Sequence, residues 1–433
     1  MIRNHSYSAP ARCPHSRLAE EFNPWGGAYL HDPYPFLARA RQQQPVFYSP
    51  DVDMWIISRY DDISAVLRDT RRFSAANATS PVSEFTSEAR QILIDGGYTI
   101  KPTLTNNDPP AHTRVRSHIN KVFSARRVAQ MEPRIREYAN ALLDAFVSHG
   151  QADLVRQFAY PLPLLVVLRL IGIPDSDMAR IKAWCDNRLL FIFGRPSPAQ
   201  QDSVAHDLVA FWNYTRAFCE QRRREPQDDL TSDLAAIVTA DPSALDMDEL
   251  ASIIFSLSIA GHETTTSLLG NAMKHLLTQR EPWEQLCSNP ALIENAVEEI
   301  LRLDGPLTFW RRMATEDVEL SGMKIPKGAK LALVLGSGSH DEAYFTHPEQ
   351  LDIHRQNART HLAFGKGIHY CIGAPLARLE AKIALELFTQ RLPGLRLAPD
   401  QQIAYEPMLS FRGLNQLLVT WAATNGPQGT EDT

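Results

Sequence analysis

Phe364-Gly365-Lys366-Gly367-Ile368-His369-Tyr370-Cys371-Ile372-Gly373 runs directly into the helical pattern APLARLEAKIALELFTQRL, Ala374 to Leu392. Glycines packed this closely let a backbone turn tightly and approach a flat object without Cβ interference. The cysteine falls just before the helix. There the unpaired N–H groups and positive dipole end stabilise a thiolate, lower its pKa and suit it to bind a metal. A lone cysteine ahead of a helix is more often a buried structural residue. Three glycines, His369 and Phe364 in this register favour a ligand instead.

Outward from this segment the chain is ordinary in composition: 433 residues, 44% hydrophobic, 22% charged, formal net charge −6. Disorder and fibre are excluded, and slight acidity without a block of like charge gives no reason to expect nucleic acid as a partner. Cys13, Cys185, Cys219 and Cys287 are scattered and form no C-x-x-C pair, so neither a disulfide framework nor a structural zinc site is suggested and a reducing compartment fits. The N-terminus, broken by Pro10, Pro14 and several charges, shows no signal peptide. The apolar runs Pro161 to Leu168 and Ile253 to Gly261 fall short of the about 20 residues that cross a bilayer. The expectation is a cytoplasmic protein with no membrane partner.

At about 150 residues per domain, length alone suggests two or three domains. No repeat, linker or composition break divides the chain, however, and the reading is one large domain over 21–422, with a flexible tail at 1–20 and a disordered one at 423–433. The 3.6-residue period predicts helices over Ile135 to Phe146, Asp202 to Arg223, Ile253 to Leu277, Ala291 to Leu303 and Ala374 to Leu392. Val46 to Ser49 and Met54 to Ser58 read as a hairpin, and Val318 to Leu335 as three short strands. The fold class is mainly α with a minor β part. No P-loop, no G-x-G-x-x-G, no G-x-S-x-G and no H-E-x-x-H occurs; His262-Glu263 starts the last of these, but Thr266 stands where the second histidine belongs.

Phe364 to Gly373 resembles the haem-binding signature F-G-x-G-x-H-x-C-x-G of the cytochrome P450 monooxygenases, matched at every fixed position. The resemblance implies a single large P450-type domain holding haem b (iron protoporphyrin IX). Cys371 would be the metal ligand, a thiolate that pushes electron density toward the iron and favours O–O cleavage, and Phe364, Gly365, Gly367, His369 and Gly373 would form its cradle. Further patterns fall in the family's order. Glu299-Ile300-Leu301-Arg302 matches E-x-x-R; taken alone it is a surface i,i+3 ion pair worth about a few tenths of a kcal/mol, and its family role is structural. Ala260-Gly261-His262-Glu263-Thr264-Thr265 matches A-G-x-[DE]-T. Ala260 and Gly261 remove bulk where a helix passes a bound plate, and the Thr264 hydroxyl can reach a carbonyl of the preceding turn and distort it. Glu263 and Thr264 form the implied catalytic acid–alcohol pair, relaying protons from solvent to dioxygen. Asp108 to Arg116 resembles a stretch of bacterial members that opens a helix under the haem. His112 and Arg116, at i and i+4, would bind propionates there, as would His369 and either Arg312 or its rival Arg311.

The resemblance covers roughly residues 25 to 422. Gly338-Ser339-His340-Asp341 departs from the A-N-R-D of many bacterial relatives. The wording of Trp310 to Leu320 and of Ser339 to Glu342 is similar to the haem domains of self-sufficient members with a fused reductase, whereas this sequence reads as stand-alone. The resemblance implies a monooxygenase that inserts one atom of O2 into a small or medium hydrophobic substrate by hydroxylation or O-/N-dealkylation. Its electrons would come ultimately from NAD(P)H, through a separate ferredoxin and ferredoxin reductase. Lys121, Arg126, Arg127, Lys366 and Arg378 form an expected docking patch for an acidic partner. The expected pocket walls are Ala75 to Asn106, Leu190 to Phe193, Ile253 and Leu257, Leu307 to Phe309 and Met408 to Phe411, apolar and with no buried cation or carboxylate to fix a charged group. Two rivals are a peroxide-driven peroxygenase, which usually dispenses with the acid–alcohol pair, and a haem sensor, which needs the ligand without the relay.

Overall fold

Amphipathic helices bury their apolar stripes against one another, and here they do so around one continuous core that includes Phe158, Phe211, Trp212, Phe255, Trp283, Ile300 and Phe388. In the computed structural model, which describes residues 16–422, the longest helices are Ala125–Asp144, Met178–Phe193, Pro198–Arg224, Met247–Ala260, Glu263–Thr278 and Ala374–Arg391. Ser197 with Gln200 and Asp246 with Glu249 open two of them with reciprocal capping boxes. Among the described residues no helix is long and apolar enough to cross a membrane.

A five-stranded sheet flanks the helices in the order Val46–Ser49, Met54–Ile57, Lys330–Leu333, Trp310–Ala314, Phe73–Ser74. Met54–Ile57 pairs parallel with Lys330–Leu333, so the two ends of the chain close one sheet. The expected hairpin and the strands Val318–Leu320, Met323–Ile325 and Lys330–Leu333 are all present. Trp310–Ala314 is a strand that the sequence pattern does not predict, because its Arg311-Arg312 pair breaks the apolar alternation. Its register sets Arg311 opposite Ala332 and Arg312 opposite Leu331, so the two guanidinium groups leave opposite faces of the sheet.

Several boundaries differ from expectation, and the helix expected over Ile135 to Phe146 runs instead from Ala125 to Asp144. The helix expected over Ile253 to Leu277 is two helices, interrupted at Gly261 and His262. The expected tail at 1–20 is shorter at its inner end: Arg17–Glu21 is helical, capped by the Ser16 hydroxyl, and Leu18 is buried with Phe22, Phe36 and Phe47. The remainder of that tail, 1–15, and the tail at 423–433 lie outside the described residues.

Glu299 and Arg302 are both wholly buried and joined by two hydrogen bonds of 2.7 and 2.8 Å. The pair is therefore not the surface contact that its spacing alone suggests. Arg355 adds two more bonds to Glu299, at 3.0 and 3.1 Å, and the Asp352 N–H a further one. Arg302 in turn donates to the carbonyls of Ser339, Pro348 and Gln350. Removing one member leaves a buried charge uncompensated, so Arg302→Met should cost about 3–5 kcal/mol, read as a lowered urea midpoint. Arg302→Lys should recover only part of the loss, because an ammonium cannot span both carboxylate oxygens.

Candidate haem site

The Cys371 loop is shaped by its glycines in three different ways. Gly365 and Gly367 have φ of 68° and 72°, conformations that L side chains resist. A Cβ on Gly367 would also lie 2.6 Å from the Leu67 carbonyl oxygen, whereas one on Gly365 meets open space. Gly373 has an ordinary φ of −78°, and a Cβ there would stand 3.7 Å from the Cys371 sulfur; its N–H and that of Ala374 are near enough to that sulfur to pull the thiol down. The Cys371 N–H itself is tied to the Phe364 carbonyl at 3.0 Å.

Burial pushes the Cys371 thiol up, and it outweighs those two N–H groups and the nearby Arg116 and Arg378, all of which pull it down. The expected lowering is thus corrected: the helix end acts in the anticipated direction and loses to desolvation. A coordinated metal cation deprotonates a thiol outright. The Cys371 side chain is nonetheless exposed.

Ala260, at the end of Met247–Ala260, is exposed while Ser258 and Ile259 beside it are buried. At the break Thr264 Oγ1 donates to the Ala260 carbonyl at 2.9 Å, and the Gly261 and His262 N–H groups make only weak bonds of 3.3 Å to Leu257 and Ile259. Gly261 is required for packing, since a Cβ would come 2.7 Å from Val167 on the neighbouring helix Pro161–Ile171. Glu263 follows the break. Burial, then the carboxylates of Asp186 and Glu406, raise its carboxyl to about 7. Polar atoms of Asp186, His262 and Glu263 lie within 4.8 Å of one another, and Asp186 is held by the Tyr160 hydroxyl at 2.8 Å and Lys182 at 3.3 Å.

His112, His369 and Arg312 come together on another wall. The His112 and His369 rings are 4.2 Å apart, and Arg312 is close enough for its charge to lower both histidines, whose main depressant is burial. Both ring nitrogens of His112 and Nε2 of His369 are buried without a partner, while His369 Nδ1 lies 3.0 Å from the Leu104 carbonyl oxygen. Arg116, one turn along Ala111–Val122 from His112, reaches the Tyr370 carbonyl at 2.8 Å and Asn120 at 3.0 Å. It sits beside the cysteine. Arg311 contributes to none of these contacts.

These residues fit a haem. An exposed sulfur precedes a helix, a second helix carries small residues at its break, and orphaned buried nitrogens beside Arg312 suit carboxylates.

Several functional neighbours have no counterpart among the residues expected at the site. Glu298 accepts two bonds from Arg378, at 2.6 and 3.0 Å, and lies 3.1 Å from His361. Despite burial, His361 and Arg378 hold its carboxyl down to about 2. Arg378 also stacks on Phe364, 4.6 Å from the ring centroid. The docking patch is correspondingly reduced. Arg378 is committed to Glu298, Arg127 to Asp233 and Asp228, and Lys366 to the Tyr60 hydroxyl, leaving Lys121 and Arg126 exposed. Just outside the expected pocket walls, Arg188 is buried over the Phe255 ring, 4.2 Å from its centroid, and Arg311 is buried beside Phe193. Neither the helix position of Arg188 nor the strand position of Arg311 marks it as buried in the bare sequence.

The cytochrome P450 family profile matches residues 278–405. Over 406 residues the chain is 36% identical to cytochrome P450 monooxygenase PikC of Streptomyces venezuelae, with 92% of each chain covered. Among solved structures it superposes on an intact type IV self-sufficient cytochrome P450 monooxygenase with a TM-score of 0.93 at 36% identity, covering 98% of this chain and 55% of that one. It also superposes on cytochrome P450 CREJ in complex with (4-ethylphenyl) dihydrogen phosphate, with a TM-score of 0.89 at 37% identity, covering 93% and 100%. The chain belongs to the cytochrome P450 family. It is a haem-thiolate monooxygenase.

The loop geometry separates two glycines. Gly365→Ala should cost only the conformational term of about 1–2 kcal/mol. Gly367→Ala adds a collision with the Leu67 backbone, and should give the lower haem-to-protein ratio and the larger fall in melting temperature.

Proposed function

We propose that Cys371 is the axial ligand of haem b, that His112, His369 and Arg312 hold its propionates, with Arg116 steadying the cysteine loop, and that Glu263 and Thr264 deliver protons. When bound, the haem supplies dioxygen activation for insertion of one oxygen atom into a C–H bond or for O- or N-dealkylation. The observation that carries the reading is the break at Ala260 to His262, fastened by Thr264 Oγ1 and followed at once by a carboxyl poised near 7.

The residues divide the work. Ala260 and Gly261 keep the helix thin where the haem would pass. Thr264 holds the Ala260 carbonyl with its one O–H, and its oxygen lone pairs remain free to accept a hydrogen bond. Glu263 is the acid. At about 7 its carboxyl is part protonated under neutral conditions, which is where a proton donor works best. Asp186, with a side chain 44% exposed, supports recharging of Glu263 from solvent. The acid–alcohol pair favours the monooxygenase over a peroxide-driven peroxygenase or a sensor.

The substrate class follows from the pocket walls, which are apolar and aromatic and suit a small or medium hydrophobic molecule. Electrons come from NAD(P)H through a ferredoxin and its reductase, for which Lys121 and Arg126 remain as exposed contacts, in a cytoplasmic setting.

The reduced, CO-bound protein should show the strongly red-shifted Soret band of a thiolate-ligated haem, and Cys371→Ala should lose it; a band that survives the substitution defeats the assignment. Thr264→Ala should lower product per dioxygen consumed by on the order of tenfold or more, with hydrogen peroxide released instead. Glu263 is protonated below about 7 and ionised above it. Coupling should therefore decline as pH rises through that value, and Glu263→Gln should flatten the profile; an unchanged inflection in that variant would remove Glu263 from the relay.

A further inference from the structure

Arg311 is a buried guanidinium, 2% exposed, that no role described above uses. Its Nη1 donates to the Ser80 carbonyl at 2.5 Å, while Nε and Nη2 are buried with no hydrogen-bond partner. Among the described residues no carboxylate pairs with it, and burial alone pushes it down to about 9. A charge kept from water without a counter-ion is costly. The free atoms are also a particular pair: Nε–H and the adjacent Nη2–H form the side edge of the guanidinium, the two parallel donors that grip a carboxylate or a phosphate in bidentate fashion.

Two anions could satisfy that edge, a haem propionate or an acidic group on a ligand, and position decides between them. Arg312, not Arg311, acts on His112 and His369, and strand alternation sends Arg311 to the other face. There its Cζ lies 5.0 Å from the ring centroid of Phe193, at the end of Met178–Phe193. The Phe193 ring meets Phe411 at 5.0 Å, and its carbonyl accepts the Leu409 N–H at 3.0 Å. Two residues beyond Phe411, a Cβ on Gly413 would come 3.6 Å from Glu263 Oε1. An aromatic wall thus runs from Arg311 to the residues at the helix break.

We propose that Arg311 anchors the carboxylate or phosphate of an amphipathic substrate, whose apolar part lies along Phe193 and Phe411 toward Thr264. This deepens the monooxygenase reading and rests on it, replacing a plainly hydrophobic substrate by one with an acidic end.

The test uses the haem-loaded protein and matched acid and amide pairs, 4-ethylbenzoate with 4-ethylbenzamide and decanoate with decanamide, titrated by the shift of the ferric Soret band. The wild type should bind the acid of at least one pair tenfold or more tightly than its amide. R311Q and R311M should reduce that preference to within twofold while haem content and the reduced CO band stay unchanged, and R311K should keep part of it. Equal affinities within both pairs, or no binding of any of the four by the wild type, overturns the proposal. So does a fall in haem content in R311Q and R311M with the acid preference intact, which would assign Arg311 to the haem. Loss of the CO band from the wild type itself is a different result, and defeats the haem-thiolate reading instead.

Discussion

Two adjacent carboxylates on one short helix hold the catalytic half of this molecule together. On Ile293–Leu303, Glu299 gathers Arg302, Arg355 and the Asp352 N–H, while Glu298 gathers Arg378 and His361. Neighbours on a helix point about 100° apart, so the two charges reach in different directions. One fixes the irregular chain between Ser339 and Arg355; the other fixes the helix that leaves the cysteine loop. Irregular backbone cannot satisfy its own polar groups, and Arg302 alone supplies donors to three carbonyls there. Burying these charges is tolerated because each carboxylate meets forked donors.

That scaffold lets the cysteine loop be as strained as it is. Gly365 and Gly367 hold left-handed conformations, and Arg378 covers Phe364 while bound to Glu298. The opposite wall uses the reverse strategy. The helix at Ala260 is loosened, not braced: one hydroxyl replaces regular backbone pairing, and Gly261 lets the weakened turn sit against Val167. A rigid ligand loop and a locally opened helix are what a planar group between them would need.

Much of this is legible in the sequence wherever a feature is local. The glycine-cysteine segment, the small residues at the helix break and the presence of helices where the apolar period is 3.6 each depend on near neighbours and are found, with shifted ends. Contact between distant segments stays hidden. E-x-x-R shows a pair, but not that Arg355 completes it, because nothing in the bare sequence ties that arginine to Glu299. The strand Trp310–Ala314 is obscured by two consecutive arginines. Helical periodicity runs unbroken through Gly261 and His262, since the interruption lies in backbone hydrogen bonding that periodicity does not register. The thiol of Cys371 shows the same limit in energetic form: the helix-end effect is local and visible, whereas the burial that outweighs it belongs to the whole fold.

The consecutive arginines sharpen that contrast between letters and fold. Identical side chains at 311 and 312 are equally candidates for a propionate in the bare sequence, and both are buried. The pleat of a strand forces them apart, so that only one can share a face with His112 and His369. Arg312 has Asp108 beside it, whereas the guanidinium on the other face has no counter-ion among the described residues, and a haem met on one face leaves that charge unanswered. Either the fold sustains the cost of Arg311 for nothing, or the second anion arrives with the ligand. The unfilled Nε and Nη2 edge, set in an aromatic wall that leads to Glu263, is the geometry of the second alternative.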